Sequence, residues 1–123
     1  MTLSTLYRPG RSFKLGLWVA ALTALLAACG VAVPPERSAY VGEWKAEGMS
    51  LLITRDGSID YRRLRKGAST SINAPLKAFH GDDFDVGIGP MTTTFRVSSP
   101  PRQIDGVWKM TVDGVELTRV DRR

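Results

Sequence analysis

From Tyr40 onward, apolar residues recur at every second position in short runs, and each run stops at residues that favour a turn. A period of two sends successive side chains to opposite faces of an extended strand, so runs of this kind bury one face and leave the other wet. Leu51 with Ile53, Ile59 with Tyr61, and Met110 with Val112 are such pairs. No window here carries the 3.6-residue period of an amphipathic helix longer than two turns. The pattern predicts an all-β fold: one small antiparallel meander of seven to eight strands, which hides its edges best by closing, or nearly closing, into a barrel.

Two turns are marked strongly. Asp56-Gly57 and Asp113-Gly114 fit a two-residue type I′ hairpin, which needs positive φ at both positions. Trp44 and Ala46 share a face of a first strand, Gly42 to Glu47. Lys66-Gly67 turns the chain again, and Ser69 to Asn73 reads as a strand halted by Ala74-Pro75. Leu76 to Phe79 forms the next, and His80 to Asp83 turns into the alternation of Phe84, Val86 and Ile88. Met91, Thr93, Phe95 and Val97 alternate after Gly89-Pro90. Ser98 to Gly106, with Pro100-Pro101, reads as the longest loop, and Trp108 to Val112 and Val115 to Val120 close the domain.

The first 28 residues are of another kind. Arg8, Arg11 and Lys14 precede Leu15 to Ala28, a run of 14 residues without a charge. This is the layout of a secretory signal, expected to form a helix. As a helix the run spans only ~21 Å, short of the ~30 Å hydrocarbon core, which disfavours a permanent transmembrane segment. It ends at Leu26-Ala27-Ala28-Cys29, the only cysteine in the chain. These four residues resemble the bacterial lipobox. That resemblance implies a diacylglyceryl thioether on Cys29, cleavage between Ala28 and Cys29, and acylation of the new amino terminus. Ordinary secretory cleavage after Ala28, or an incidental buried thiol at the end of a core helix, are the other readings of the same residues. By similarity to sorting in Gram-negative lipoproteins, Gly30 after the cysteine favours the outer membrane, with the protein facing the periplasm. The expected organisation is a signal peptide over 1–28, a flexible tether over 29–39 kept extended by Pro34 and Pro35, and one β-barrel-like domain over 40–123.

Charge narrows the partners. Three of the 17 basic residues lie in the leader and none of the 12 acidic ones do, so residues 29–123 carry 14 basic and 12 acidic side chains, net +2. Nucleic acid is not an expected partner, because phosphate recognition needs a concentrated basic face. The densest basic run, Arg62, Arg63, Arg65 and Lys66, is a candidate contact for an acidic partner or anionic lipid, or else a charged edge that discourages sheet aggregation.

Catalysis is not expected. The only histidine, His80, falls in a turn, no serine sits in a nucleophile elbow, and the chain has no zinc spacing, phosphate loop or dinucleotide fingerprint. Asp82, Asp83 and Asp85 read as a solvated turn, with a weak calcium site as the alternative. No cofactor or metal is anticipated.

Tyr40-Val41-Gly42-Glu43-Trp44 resembles the Gly-x-Trp motif that opens the first strand of lipocalins and of shorter bacterial lipocalin-like lipoproteins. Trp108 to Arg119 is similar to their closing hairpin. The resemblance implies that Trp44 packs across the closed barrel end and that Arg119 stacks on it as a cation–π pair. The chain is about a third shorter than a full lipocalin and lacks its flanking helix, so a barrel filled by its own side chains stands beside one with a cavity. Two functions follow as expectations. The first is a noncatalytic envelope lipoprotein, held to a membrane by lipid, whose β domain binds a partner protein or envelope polymer. The second is a lipocalin-like carrier of a small apolar ligand among Phe84, Phe95 and Met110. Small barrel lipoproteins that inhibit lysozyme illustrate the first, though they usually carry a disulfide that a lone cysteine cannot form within the chain.

Overall fold

The computed structural model describes residues 30–121, so the leader, the expected signal helix, Ala28 and Cys29 lie outside the described residues. A 3-10 helix, Pro35–Tyr40, precedes nine strands: β1 (Gly42–Ala46), β2 (Met49–Ile53), β3 (Ser58–Arg65), β4 (Ala68–His80), β5 (Asp83–Ile88), β6 (Met91–Phe95), β7 (Val97–Ile104), β8 (Val107–Val112) and β9 (Val115–Val120). They form one antiparallel sheet in the order β6-β5-β4-β3-β2-β1-β9-β8-β7, curled into a half-barrel. Neighbours in this order are hairpins except β1 and β9, the first and last strands.

The concave face holds the core. Trp44, Leu51, Phe84, Val86, Met110, Val112 and Leu117 have no exposed surface, and Ile53, Ile59 and Phe95 almost none. These are the inward positions of the period-two runs. Ile88 and Met91 depart from the pattern: although in phase with Phe84 and Phe95, they are 69% and 76% exposed, because the β5–β6 tip runs past Leu76, where the β4 ladder ends.

Prolines mislead where a strand changes role. The two strands expected on either side of Ala74-Pro75 are one 13-residue strand, β4. Its first part, to Pro75, pairs with β3, and from Leu76 it pairs with β5, with a bulge between Leu76 and Ala78. Pro75 sits at that changeover, where its missing N–H breaks no ladder, and the bulge bends the sheet. The expected loop from Ser98 to Gly106 is largely β7, an edge strand that tolerates Pro100 and Pro101 and shows two register shifts against β8. In all, nine strands are found where seven to eight were expected.

The turns divide similarly. Asp113-Gly114 has positive φ at both residues (48° and 79°), as do Lys66-Gly67 and Asp105-Gly106. At Asp56-Gly57 only the glycine does. There the Gly57 N–H donates to Thr54 O and the Thr54 N–H to Ser58 O, so the loop is a longer one with Gly57 as its left-handed residue.

The described part of the expected tether is bound to the domain. The Val31 N–H donates to Leu76 O (3.2 Å), the Val33 N–H donates to Arg55 O (3.0 Å), and the Val33 side chain is buried. Pro35 starts a helical turn instead of preventing one, since its fixed φ suits the first position and its absent N–H would have had no partner. That turn is pinned by the Tyr40 hydroxyl donating to Asp82 O (2.9 Å), by Arg37 to Asp82 (3.3 Å), and by Tyr40 packed edge-on against Phe79 and Phe84. Burial, reinforced by Asp82, raises the Tyr40 phenol above its ordinary value and keeps it a donor.

Gly57 lies under this segment: a Cβ there would stand 2.0 Å from Val31 O, whereas one on Gly67 would meet nothing within 4 Å. Both glycines have positive φ, so Gly67→Ala should cost about 1 kcal/mol from backbone conformation alone. Gly57→Ala should cost roughly twice that or more, because Val31 must also move. Urea midpoints compare them, and equal losses would refute the docking of residues 30–33.

Candidate functional site

β3 carries the basic run out to the Lys66-Gly67 turn. The run does not gather into one patch. Arg62 is exposed and lies 3.7 Å from Asp60, Arg63 is half-buried, and Arg65 and Lys66 stand exposed at the hairpin tip. Arg62 and Arg63 line a groove of about 540 Å³ over β1, β2 and β3, together with Glu43, Lys45, Leu52 and Asp60. Arg65 and Lys66 are not among its walls.

Strand register orders the groove. Glu43, Leu52 and Asp60 lie side by side across the three strands, and Lys45, Ser50 and Arg62 form the next row. An acidic row with an apolar centre thus borders a basic row. Ion pairs join the rows along each strand, Lys45 to Glu43 at 3.2 Å and Arg62 to Asp60 at 3.7 Å. The Arg62–Asp60 pair is open to solvent and worth about 0–1 kcal/mol, so a ligand offering its own charges can replace it, whereas Glu43 is largely buried and leaves Lys45 as the accessible partner of its pair. The arrangement suits a polar extended chain with acceptors for one row, donors for the other and an apolar group for Leu52.

The second site expected from the sequence lies at the β1–β9 junction. Trp44 is fully buried and its Nε1–H donates to Tyr40 O at 2.9 Å. The Arg119 guanidinium lies 6.0 Å from the Trp44 ring and closer, 4.9 Å, to the Trp108 ring. Trp108 as a second partner was not anticipated, although Lys109 opposite Thr118 sets Trp108 beside Arg119. Gly42 makes room: a Cβ on it would meet Arg119 Cδ at 2.7 Å, so the glycine of Gly-x-Trp lets the arginine stem lie flat. This cluster is packing: Trp44 is wholly buried, and the half-buried Arg119 is spread over the two indole rings.

Sequence reading missed a third cluster. His80 Nε2 lies 2.8 Å from Asp85 Oδ2, and the Thr94 hydroxyl donates to Asp85 Oδ1 at 2.6 Å. His80 pairs with Asp83 and Ala78 with Asp85 across the Gly81-Asp82 turn, so His80 lies diagonal to Asp85 on one face of a regular ladder. The hydroxyl serves the carboxylate and not the imidazole, so this is not a nucleophile–base–acid relay. The Asp82–Asp83–Asp85 calcium alternative fails on geometry. Asp82 pairs with Arg37, Asp83 accepts from the Val97 N–H, and Asp85 takes His80 and Thr94. Among the described residues no three metal-ligating side chains converge.

The Thr94 hydroxyl first, then His80, holds the Asp85 carboxyl below its ordinary value of 3.8. A depressed acid contributes stability that is complete above the unfolded value and is lost as pH falls through the folded one. Thr94→Val should therefore move the Asp85 pKa up toward 3.8 in a carboxyl NMR titration, by more than His80→Ala does. Arg119→Ala should destabilise the domain by about 1–2 kcal/mol through lost stacking and packing, with Arg119→Lys intermediate in urea unfolding. Comparison with known proteins adds no relative, for no protein-family model, curated protein or solved structure matches the chain.

Proposed function

We propose that this chain is a noncatalytic, lipid-anchored protein of the bacterial cell envelope whose half-barrel binds a partner protein or envelope polymer on its outer face. The observation that carries the reading is the filled interior. Tyr61 of β3 meets Phe95 of β6 edge-on at 4.9 Å, although the two strands are three places apart in the sheet, and Phe95 stacks on Phe84 at 5.2 Å. Rings meeting across the concave face leave binding to the outside, where the groove offers two charged rows.

A carrier of an apolar ligand needs a dry pocket of several hundred Å³. The outer groove has that volume, but it is open and edged by Glu43, Lys45, Asp60 and Arg62, which favour a polar occupant. Attachment rests on Leu26-Ala27-Ala28-Cys29, and the outer membrane on Gly30. A net charge of +2 after the leader, with the groove charges paired, argues for a partner selected by pattern over bulk attraction.

Cys29→Ala should move the protein from the membrane fraction to the soluble fraction while leaving the domain folded. A photoreactive amino acid at Leu52 should give a discrete adduct in whole cells, and Lys45→Glu with Arg62→Glu should abolish it. A small apolar molecule released when the purified chain is denatured would favour the carrier instead.

A further inference from the structure

The chain reaches the half-barrel at Gly30 with no slack. A Cβ on Gly30 would touch Pro75 Cβ at 3.0 Å, the next residue bonds Leu76, and Val33 bonds Arg55. Consecutive Cα atoms are about 3.8 Å apart, so a lipid carried on residue 29 starts one residue from this contact. On the anchor reading proposed above, the bilayer must therefore meet a defined part of the domain.

That part exposes apolar side chains. Ile88 and Met91 pair across the β5–β6 turn, and the tip Ile88-Gly89-Pro90-Met91 holds no polar side chain. Met91 (76%) and Ile88 (69%) have the highest exposures among the exposed large apolar residues, and Val31 adds 51%. The tip is tied to the strand that receives Val31. Leu76 accepts the Val31 N–H, and Lys77 beside it donates to Gly89 O (2.7 Å) and Thr92 Oγ1 (2.8 Å). Neighbouring strands lie ~4.8 Å apart, so Val31, on one side of β4, and the apolar tip, carried by β5 and β6 on the other, are separated by roughly two to three strand spacings across the sheet. Arg55 and Lys77 flank them with positive charge, and Asp56 is engaged by the Thr54 hydroxyl.

We propose that the Ile88–Met91 tip and Val31 form a membrane-contacting face that dips into the bilayer surface beside the lipid on Cys29, seating the half-barrel in one orientation. The occupant is a lipid surface because the chain before Gly30 brings one there. Grouped exposed apolar residues at a hairpin tip suit the acyl boundary, with cations at headgroup level. The orientation also assigns the basic hairpin. β3 starts at Ser58 beside Gly57 and ends seven residues later at Arg65, so Arg65 and Lys66 stand roughly 23 Å or more from the membrane end, beyond the ~8 Å screening length at physiological salt. They face a partner, not the headgroups of their own membrane.

The test uses the full chain made with its own leader and reconstituted in phosphatidylethanolamine–phosphatidylglycerol vesicles, with mass spectrometry of the N-terminal peptide reading the lipid. Met91→Cys, Ile88→Cys and, as control, Leu64→Cys each supply one thiol for an environment-sensitive fluorophore. All three positions are exposed, so folding is little disturbed. The expected result is lipid on Cys29, a blue shift and lost iodide quenching at 88 and 91, and an aqueous spectrum at 64. Lipid on Cys29 with aqueous spectra at 88 and 91, or with all three sites in lipid, overturns the orientation and leaves the anchor standing. A Cys29 without lipid overturns the anchor and the orientation together.

Discussion

The pairing of β1 with β9 is the contact on which the other features of the half-barrel depend. It joins Glu43 to Val120, Trp44 to Arg119 and Lys45 to Thr118, residues about 75 positions apart, whereas every other strand pair is a local hairpin. Without it, β6 to β1 and β9 to β7 would be two sheets, continuous in the chain at Arg96 and bridged by the Val97 N–H donating to Asp83. Such a pairing costs loop-closure entropy before it gains any contact, so what it buries must offset that cost. Trp44 supplies most of this: it is wholly buried, hydrogen-bonded to Tyr40 O, and covered by an arginine whose stem fits only because residue 42 has no side chain. The junction is thus a small jigsaw of one glycine, one arginine and two tryptophans.

Two bends then shape the rest. β4 changes partner at Leu76, and the chain passes from β6 to β7 through Arg96, whose N–H is taken by the Asp113 side chain and whose carbonyl accepts the Asp113 N–H. Each bend replaces a ladder bond with another partner, which keeps the backbone satisfied while the sheet turns. The bends bring Tyr61, Phe84 and Phe95 together over the concave face, and the 3-10 helix adds Tyr40 against Phe84. A core closed in this way spends its aromatic residues on stability, consistent with recognition at the outer face.

Much of this was legible in the sequence because period two and burial are one constraint. Leu51 and Ile53, Phe84 and Val86, and Met110 and Val112 point inward as the alternation required. Asp113-Gly114 gave its turn directly, since positive φ at two successive residues admits few sequences. What escaped depends on contacts distant in sequence. Pro75, Pro100 and Pro101 read as strand ends because their missing N–H is local knowledge, while the fact that no partner needed it there is topological. Pro34 and Pro35 suggested a tether for the same reason, although Leu76 and Arg55 were waiting to accept the Val31 and Val33 amides. In the candidate site, the basic residues of β3 were visible as a run, but their division between groove wall and hairpin tip follows from cross-strand register.

Charge along β3 links the groove to the proposed orientation. Asp60 lies two residues from the Ser58 end, Arg62 four residues from it, and Arg65 and Lys66 beyond them, so the strand runs from acidic to basic as it leaves the Gly57 turn. At about 3.3 Å per residue, Arg62 is already some 13 Å from that turn, farther than the ~8 Å over which an exposed charge acts in physiological salt. Anionic headgroups at the Gly57 end would compete for a basic row placed close to them. A basic row set away from them stays free for carboxylates or phosphates on a partner, and the nearer acidic row gives a membrane no reason to cover the groove. The rigid approach of Gly30 matters for that separation. In the proposed orientation a slack tether would let the basic hairpin reach the bilayer, whereas Val31 and Val33, bonded to Leu76 and Arg55, would hold it off.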